Sequence, residues 1–197
     1  MNDMELNSLV GSRICHDLIS PLGAIGNGVE LLSMSGVGAA PEMSLISASV
    51  DSANARIRFF RVAYGAAKSD SMIGNAELKS VLSDLYRGSR LQIDWRISED
   101  LPRTEAKLSF LLLQCMENAF PWGGKIQVTR TGTTWNIFGQ AERIKIEEPF
   151  WELLINDQQE ADVTASNVHF ALIQPAAKQV GCRVTTNISE NTLSISF

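Results

Sequence analysis

The chain has 197 residues, is 45% hydrophobic and 20% charged, and carries 17 Lys and Arg against 22 Asp and Glu, a net charge of −5. That length holds one large domain or two small ones, and the composition is that of a folded globular chain rather than a disordered one. No apolar run reaches the length of a membrane span, and the acidic balance argues against nucleic acid as the main partner, since phosphate neutralisation needs clustered Lys and Arg.

The first thirty residues scatter Asp3, Glu5, Arg13, His16 and Asp17 among apolar positions. They lack the basic start and continuous apolar core of a signal peptide, so a cytoplasmic protein with no membrane contact is expected. Cys15, Cys115 and Cys182 are odd in number and far apart, without zinc-ligand spacing, and are expected to be reduced thiols.

Leu6, Val10, Ile14, Leu18, Leu22, Ile25, Val29 and Leu32 recur at steps of three and four, which predicts one seam of a long helix. The small residues from Ser33 to Ala40 break the period, and Pro41 suits the first turn of a second helix. There Met43, Ile46, Val50, Ala53, Ile57, Phe60, Tyr64 and Ala67 keep a three-four alternation. A hairpin with one apolar stripe per helix cannot enclose a core alone. Two hairpins across a homodimer axis, forming a four-helix bundle, are the economical solution.

Ser69 to Asn75 reads as a linker, dividing the chain into 1–70 and 71–197. A helix is predicted over 76–87 and a half-buried strand from Leu91 to Ile97. A helix over 104–119 follows, then short strands around Ile126 and Val128, Trp135 and Ile137, and Ile144 and Ile146, with a turn at Thr131-Gly132. The last helix spans about 164–180, is expected to kink at Pro175 and stops before Gly181. A hairpin of 183–188 and 192–197 ends the chain. The fold class is therefore α+β, a helical hairpin followed by helices packed on a mixed sheet.

The segment Arg13-Ile14-Cys15-His16-Asp17-Leu18-Ile19-Ser20-Pro21-Leu22 holds most of the functional information. On a helical wheel His16 lies roughly 200° from Ile14 and Leu18, so it projects away from the seam into solvent. Ser12, Arg13, Ile19 and Ser20 lie a turn away and Gly23 beyond them, leaving room for another protein to approach the ring. Asp17 can orient one ring nitrogen or favour the imidazolium. Pro21 removes a helical hydrogen bond and is expected to bend the helix. A lone surface histidine needs no function, and His169, in Ser166-Asn167-Val168-His169-Phe170, is expected to be structural. Around His16 the pattern is different.

His16-Asp17-Leu18-Ile19-Ser20-Pro21-Leu22 resembles the phosphoacceptor motif of sensor histidine kinases, which sits on the first helix of a dimeric hairpin. The order of elements after residue 76 resembles the ATPase domain that follows that hairpin, and Asn118, in Leu111 to Ala119, stands where those kinases place a magnesium ligand. Nucleotide binding there also needs an Asp-x-Gly-x-Gly loop. Here the strand Trp135 to Phe138 leads into Gly139-Gln140-Ala141-Glu142-Arg143, and Asp157 to Asn167 contains no glycine, so ATP is not expected to bind and Asn118 is read as a locally satisfied helix residue.

A phosphoacceptor hairpin joined to a kinase-like domain without its ATP loops resembles the ChpT-type histidine phosphotransferases over essentially the full length. The resemblance implies a homodimeric phosphotransferase with no autokinase activity, relaying phosphate from the receiver domain of a hybrid histidine kinase to response regulators. It implies His16 as phosphoacceptor through Nε2, with Asp17 orienting it and Ser20 within a turn of the phosphoryl group. Arg13, Ser12, Ile19, Gly23 and Arg56 would meet the receiver, whose acidic rim suits the cations of Arg56-Ile57-Arg58-Phe59-Phe60-Arg61. Mg²⁺ would come from the receiver, with no cofactor or metal held by this chain. Two alternatives remain at this stage: an ATP-dependent histidine kinase core, and a non-catalytic dimeric scaffold that binds receivers.

Overall fold

The computed structural model describes residues 3–35, 40–68, 70–156 and 158–197. Two long helices, α1 (Asp3–Ser35) and α2 (Ala40–Ala63), pack along each other as a hairpin. Helix α1 runs to Ser35, past the break expected at Ser33, and passes through Pro21 as helix. Most of the expected turn, residues 36–39, lies outside the described residues.

The line of α1 covered by its neighbours steps through Ile14, Leu18, Pro21, Ile25, Gly28 and Leu32, a strict three-four alternation. Leu22 and Val29, assigned to the seam from sequence, fall one residue off that line and are exposed. Helix α2 stops at Ala63 rather than Ala67. The chain turns so closely there that a Cβ at Gly65 would strike the Arg61 carbonyl.

The expected linker is not structureless. Within it Met72–Ile73 (β1) pairs antiparallel with Leu101–Pro102 (β3). Helix α3 (Asn75–Tyr86), strand β2 (Leu91–Trp95) and helix α4 (Arg103–Ala119) follow as predicted. Strands β4 (Gly124–Thr131) and β5 (Thr134–Gln140) form a hairpin whose turn places Gly132 at φ 61°, a left-handed conformation that suits glycine. Helices α5 (Glu148–Ile155) and α6 (Val168–Val180) precede the closing hairpin of β6 (Thr185–Ile188) and β7 (Thr192–Ser196). The larger sheet has the order β2-β4-β5-β7-β6, with the β2–β4 pair parallel and the others antiparallel.

Two elements differ from expectation. Ile144 and Ile146 form no strand, because β7 already occupies the free edge of β5. Their segment instead crosses the end of α4, where Lys145 N–H donates to the Ala119 carbonyl at 2.8 Å. Helix α5 was not anticipated, although Pro149 in its first turn is a start signal and Trp151 and Leu154 give it a buried side.

The core lies between one face of the sheet and α4. Ile126, Val128, Trp135, Ile137, Leu193 and Ile195 are buried on that face, and α4 is buried from Leu108 to Met116. Phe59 stacks on Phe110, which meets Trp95 edge to face, so α2 is tied to the sheet by aromatic contact rather than by a loose tether. Helix α6 continues through Pro175 and ends at Gly181, left-handed at φ 80°, as the capping rule predicts.

Candidate functional site

His16 stands on the exposed side of α1 with 82% of its side chain accessible, as the wheel predicts. Its Nδ1 is 3.1 Å from Asp17 Oδ1. Asp17 is only 10% exposed and is held from the other side: Arg13 Nε donates to Oδ2 at 2.9 Å, and an Arg56 Nη1 from α2 approaches the same oxygen at 3.8 Å. A carboxylate accepts but cannot donate, so a hydrogen bond at Nδ1 requires the Nδ1–H tautomer. That leaves the Nε2 lone pair free, and the carboxylate is in place to stabilise an imidazolium.

Arg13 is not a free surface cation. Besides Asp17 it donates through Nη1 to the Ser166 carbonyl, in the short 3-10 turn Ala165–Asn167 that leads into α6. Thr164 and Asn167 close that turn as a capping box. Residues 164–167, the end of the glycine-free stretch, thus form an anchored corner against α1. Ser12, Ile19, Ser20 and Gly23 are all exposed around His16, and a Cβ at Gly23 would meet nothing. Arg56 is partly exposed, whereas Arg58 is tied to Asp84 at 2.7 Å and to Ser80 at 3.1 Å.

The structure adds residues that the sequence reading did not single out. Glu117, near the end of α4, accepts a hydrogen bond from Tyr86 Oη at 3.2 Å; Arg13 and Arg56 act on its charge from a distance, and neither forms an ion pair with it. The residue keeps solvent access, but packing around its carboxyl raises its proton affinity, opposed by Tyr86 and the two arginines. Tyr64 donates to Gln114 Oε1 at 2.8 Å, and burial pushes its hydroxyl up to about 12 despite Arg13. Burial, reinforced by Glu117, likewise carries the Tyr86 hydroxyl well above its usual range. Nothing in the sequence pairs Glu117 with Tyr86, 31 residues earlier; the fold does.

The two histidines contrast sharply. His169 is fully buried, neither ring nitrogen has a hydrogen-bond partner, and burial lowers its pKa to about 3. It packs on Phe170 with ring centroids 4.7 Å apart. The cysteines are free, with Cys15 exposed and Cys115 buried.

Gly139, which stands where a phosphate loop would begin, is buried inside β5, and a Cβ there would strike the Phe120 ring and the Met116 methyl. This glycine makes room for core side chains. Asn118 is exposed at the end of α4, and no group of three or more His, Cys, Asp or Glu among the described residues could hold a metal. No helix among them is long and apolar enough to cross a membrane.

An exposed imidazole beside a pinned carboxylate, on a hairpin fused to an α+β domain, is the arrangement expected of a phosphotransferase. Residues 75–192 match the family model described as the histidine phosphotransferase C-terminal domain, and the chain belongs to that family. It is 29% identical over 202 residues to the protein phosphotransferase ChpT of Brucella abortus (strain 2308), a match covering 100% of this chain and 96% of that one. It also superimposes on the solved structure of a bacterial phosphotransferase with a TM-score of 0.82 and 28% identity, covering 100% of this chain and 97% of the other.

Proposed function

We propose that the chain is the histidine phosphotransfer intermediate of a two-component phosphorelay. His16 accepts a phosphoryl group from the aspartate of a hybrid kinase's receiver domain and passes it to the receiver of a response regulator. The observation that carries this reading is the Nδ1 contact to Asp17 on an 82% exposed ring, which frees Nε2 for attack. The Nε2 lone pair forms the N–P bond as the bond from phosphorus to the aspartyl oxygen breaks, and the donor leaves as a carboxylate. Asp17 offsets the charge left on the ring. The reverse displacement discharges it. Mg²⁺ and most charge stabilisation reside in the receiver. This chain's part is to hold the ring and seat the receiver.

Ser12, Ile19, Ser20 and Gly23 offer an open surface around the ring, with Ser20 one turn from the phosphoryl position. A groove of about 700 Å³ between α2 and the end of α3, lined by Asp51, Arg56, Ile57, Arg58, Asp84 and Arg87, shares Arg56 with the His16 site. Its arginines suit the acidic rim of a receiver. Ile19, Leu22, Val29, Met34, Met43, Leu45, Val50 and Ile57 are exposed along the hairpin, and a second copy of the chain covers part of that apolar surface in a four-helix bundle. Residues 1–70 then serve dimerisation and phosphotransfer, and 71–197 form a kinase-like domain without autokinase activity.

The test is direct. Wild-type protein incubated with a phosphorylated receiver should gain acid-labile, base-stable phosphate, and His16→Ala should gain none. Equal labelling of the two would refute the relay.

A further inference from the structure

Four loops meet at one end of the larger sheet and are tied together by their backbones. Gly124 N–H donates to the Arg90 carbonyl at 3.2 Å, Gly123 N–H to the Phe120 carbonyl at 2.9 Å and Ala141 N–H to the Asn191 carbonyl at 3.1 Å. The approach is so close that a Cβ at Gly123 would strike the Arg90 carbonyl, and one at Gly124 the Gln140 carbonyl. Between these loops lies a cleft of about 620 Å³, which shares no lining residue with the groove beside Arg56. Arg90, Lys125 and Arg143 stand exposed around it. None of the three forms an ion pair among the described residues, whereas Arg58, Arg96 and Arg130 each hold a carboxylate. Glu142, also in the lining, pairs with none of them.

We infer that this cleft is a docking site for an extended acidic segment of a partner protein. On a chain of net charge −5, three unpaired cations around one concavity repel one another, and carboxylates brought in by a partner relieve that repulsion. Arg143 Cζ lies 4.4 Å from the centroid of the Trp122 ring. A guanidinium stacked in this way keeps its N–H edge free for a carboxylate. Trp122 is half-exposed, whereas Trp95, Trp135 and Trp151 are buried. Tryptophan and arginine are the side chains that most often dominate binding energy at protein interfaces. The rim is already fixed by its backbone bonds, so little ordering is needed when a partner arrives.

The cations stand on three separate stretches of chain: Arg90 just before β2, Lys125 at the start of β4 and Arg143 beyond the end of β5. That spread suits carboxylates spaced along a peptide better than one compact anion. Gln140 and Asn191, in the same lining, supply amide groups that can meet the peptide backbone of such a segment.

The test uses the full-length chain and fluorescein-labelled poly-L-glutamate, followed by anisotropy and, with the unlabelled polymer, by the emission of Trp122, assigned through its loss in Trp122→Phe. Binding should perturb Trp122 and weaken as salt rises. Arg90→Glu combined with Arg143→Glu should weaken it on the order of tenfold or more, whereas Arg183→Glu, the same change at an exposed cation outside the cleft, should alter it less than about twofold. No binding to wild type, an equal loss in Arg183→Glu, or binding that leaves Trp122 unperturbed would overturn the inference. So would an equal response to free glutamate at the same carboxylate concentration, which would leave a small-anion site only. A second measurement needs neither variant: iodide should quench Trp122 more strongly than caesium, and equal quenching would remove the positive field on which the docking depends. None of these readouts involves phosphate, so the phosphorelay reading stands or falls separately.

Discussion

Replacing His169 by leucine should make the protein less sensitive to acid. In the folded chain His169 is fully buried with both ring nitrogens unpartnered, and its pKa falls from 6.5 to about 3. A lowered folded-state pKa means that the unfolded chain takes up a proton that the folded chain refuses. The stability cost is therefore absent above about pH 6.5, grows as pH falls, and saturates near the folded value. At pH 5 the unfolded ring is about 1.5 units below its own pKa, which costs the native state about 2 kcal/mol relative to pH 7.

His169→Leu removes that term and also two polar atoms that lack partners, so it should be no less stable at pH 7 and clearly more stable at pH 5. Urea denaturation of both proteins at pH 7, 6 and 5, at one protein concentration, measures the difference. The carboxylates titrate alike in both proteins and cancel in the comparison. Stability curves that stay parallel to within about 0.5 kcal/mol across this range would show that the folded ring can take up a proton, and the burial argument would fail.

Other changes test separate parts of the structure. Gly139→Val should destabilise the fold by about 1–3 kcal/mol, because its side chain must displace Phe120 and Met116 in a packed core, and a thermal melt would show an unchanged midpoint if the glycine were instead a loop residue. Asp17→Asn should slow phosphotransfer through loss of the charged acceptor for His16 while leaving the melting temperature within a few degrees, and transfer at the wild-type rate would exclude an orienting role. Leu22→Asp, at an exposed apolar position of α1, should weaken self-association in equilibrium sedimentation, and a wild-type chain that remains monomeric at all loading concentrations would remove the bundle from the picture.

The sequence by itself determined the elements with strong periodicity. The heptad-spaced helices, the alternation from Leu91 to Trp95, the Gly132 turn and the Gly181 cap each follow from short-range rules, because a helix face, a strand face or a positive φ is a local property. His16 was legible for the same reason, since its exposure follows from its angle to a seam on the same helix. Where the outcome depended on neighbours, sequence reasoning fell short. Leu22 and Val29 looked like seam residues until the line of contact with α2 was known. Ile144 and Ile146 looked like a strand until β7 took the edge they would have needed. Arg13 read as a surface residue that would meet the receiver, yet it also holds the Ser166 carbonyl, 153 residues away. Glu117 and Tyr86 carry no signal of their own, and their hydrogen bond exists because the ends of α3 and α4 come together. Local spacing reveals what a side chain can do, whereas a hydrogen bond between two helix ends, burial of a ring without partners and the space around a glycine are set by residues distant in sequence, and only tertiary packing brings them together.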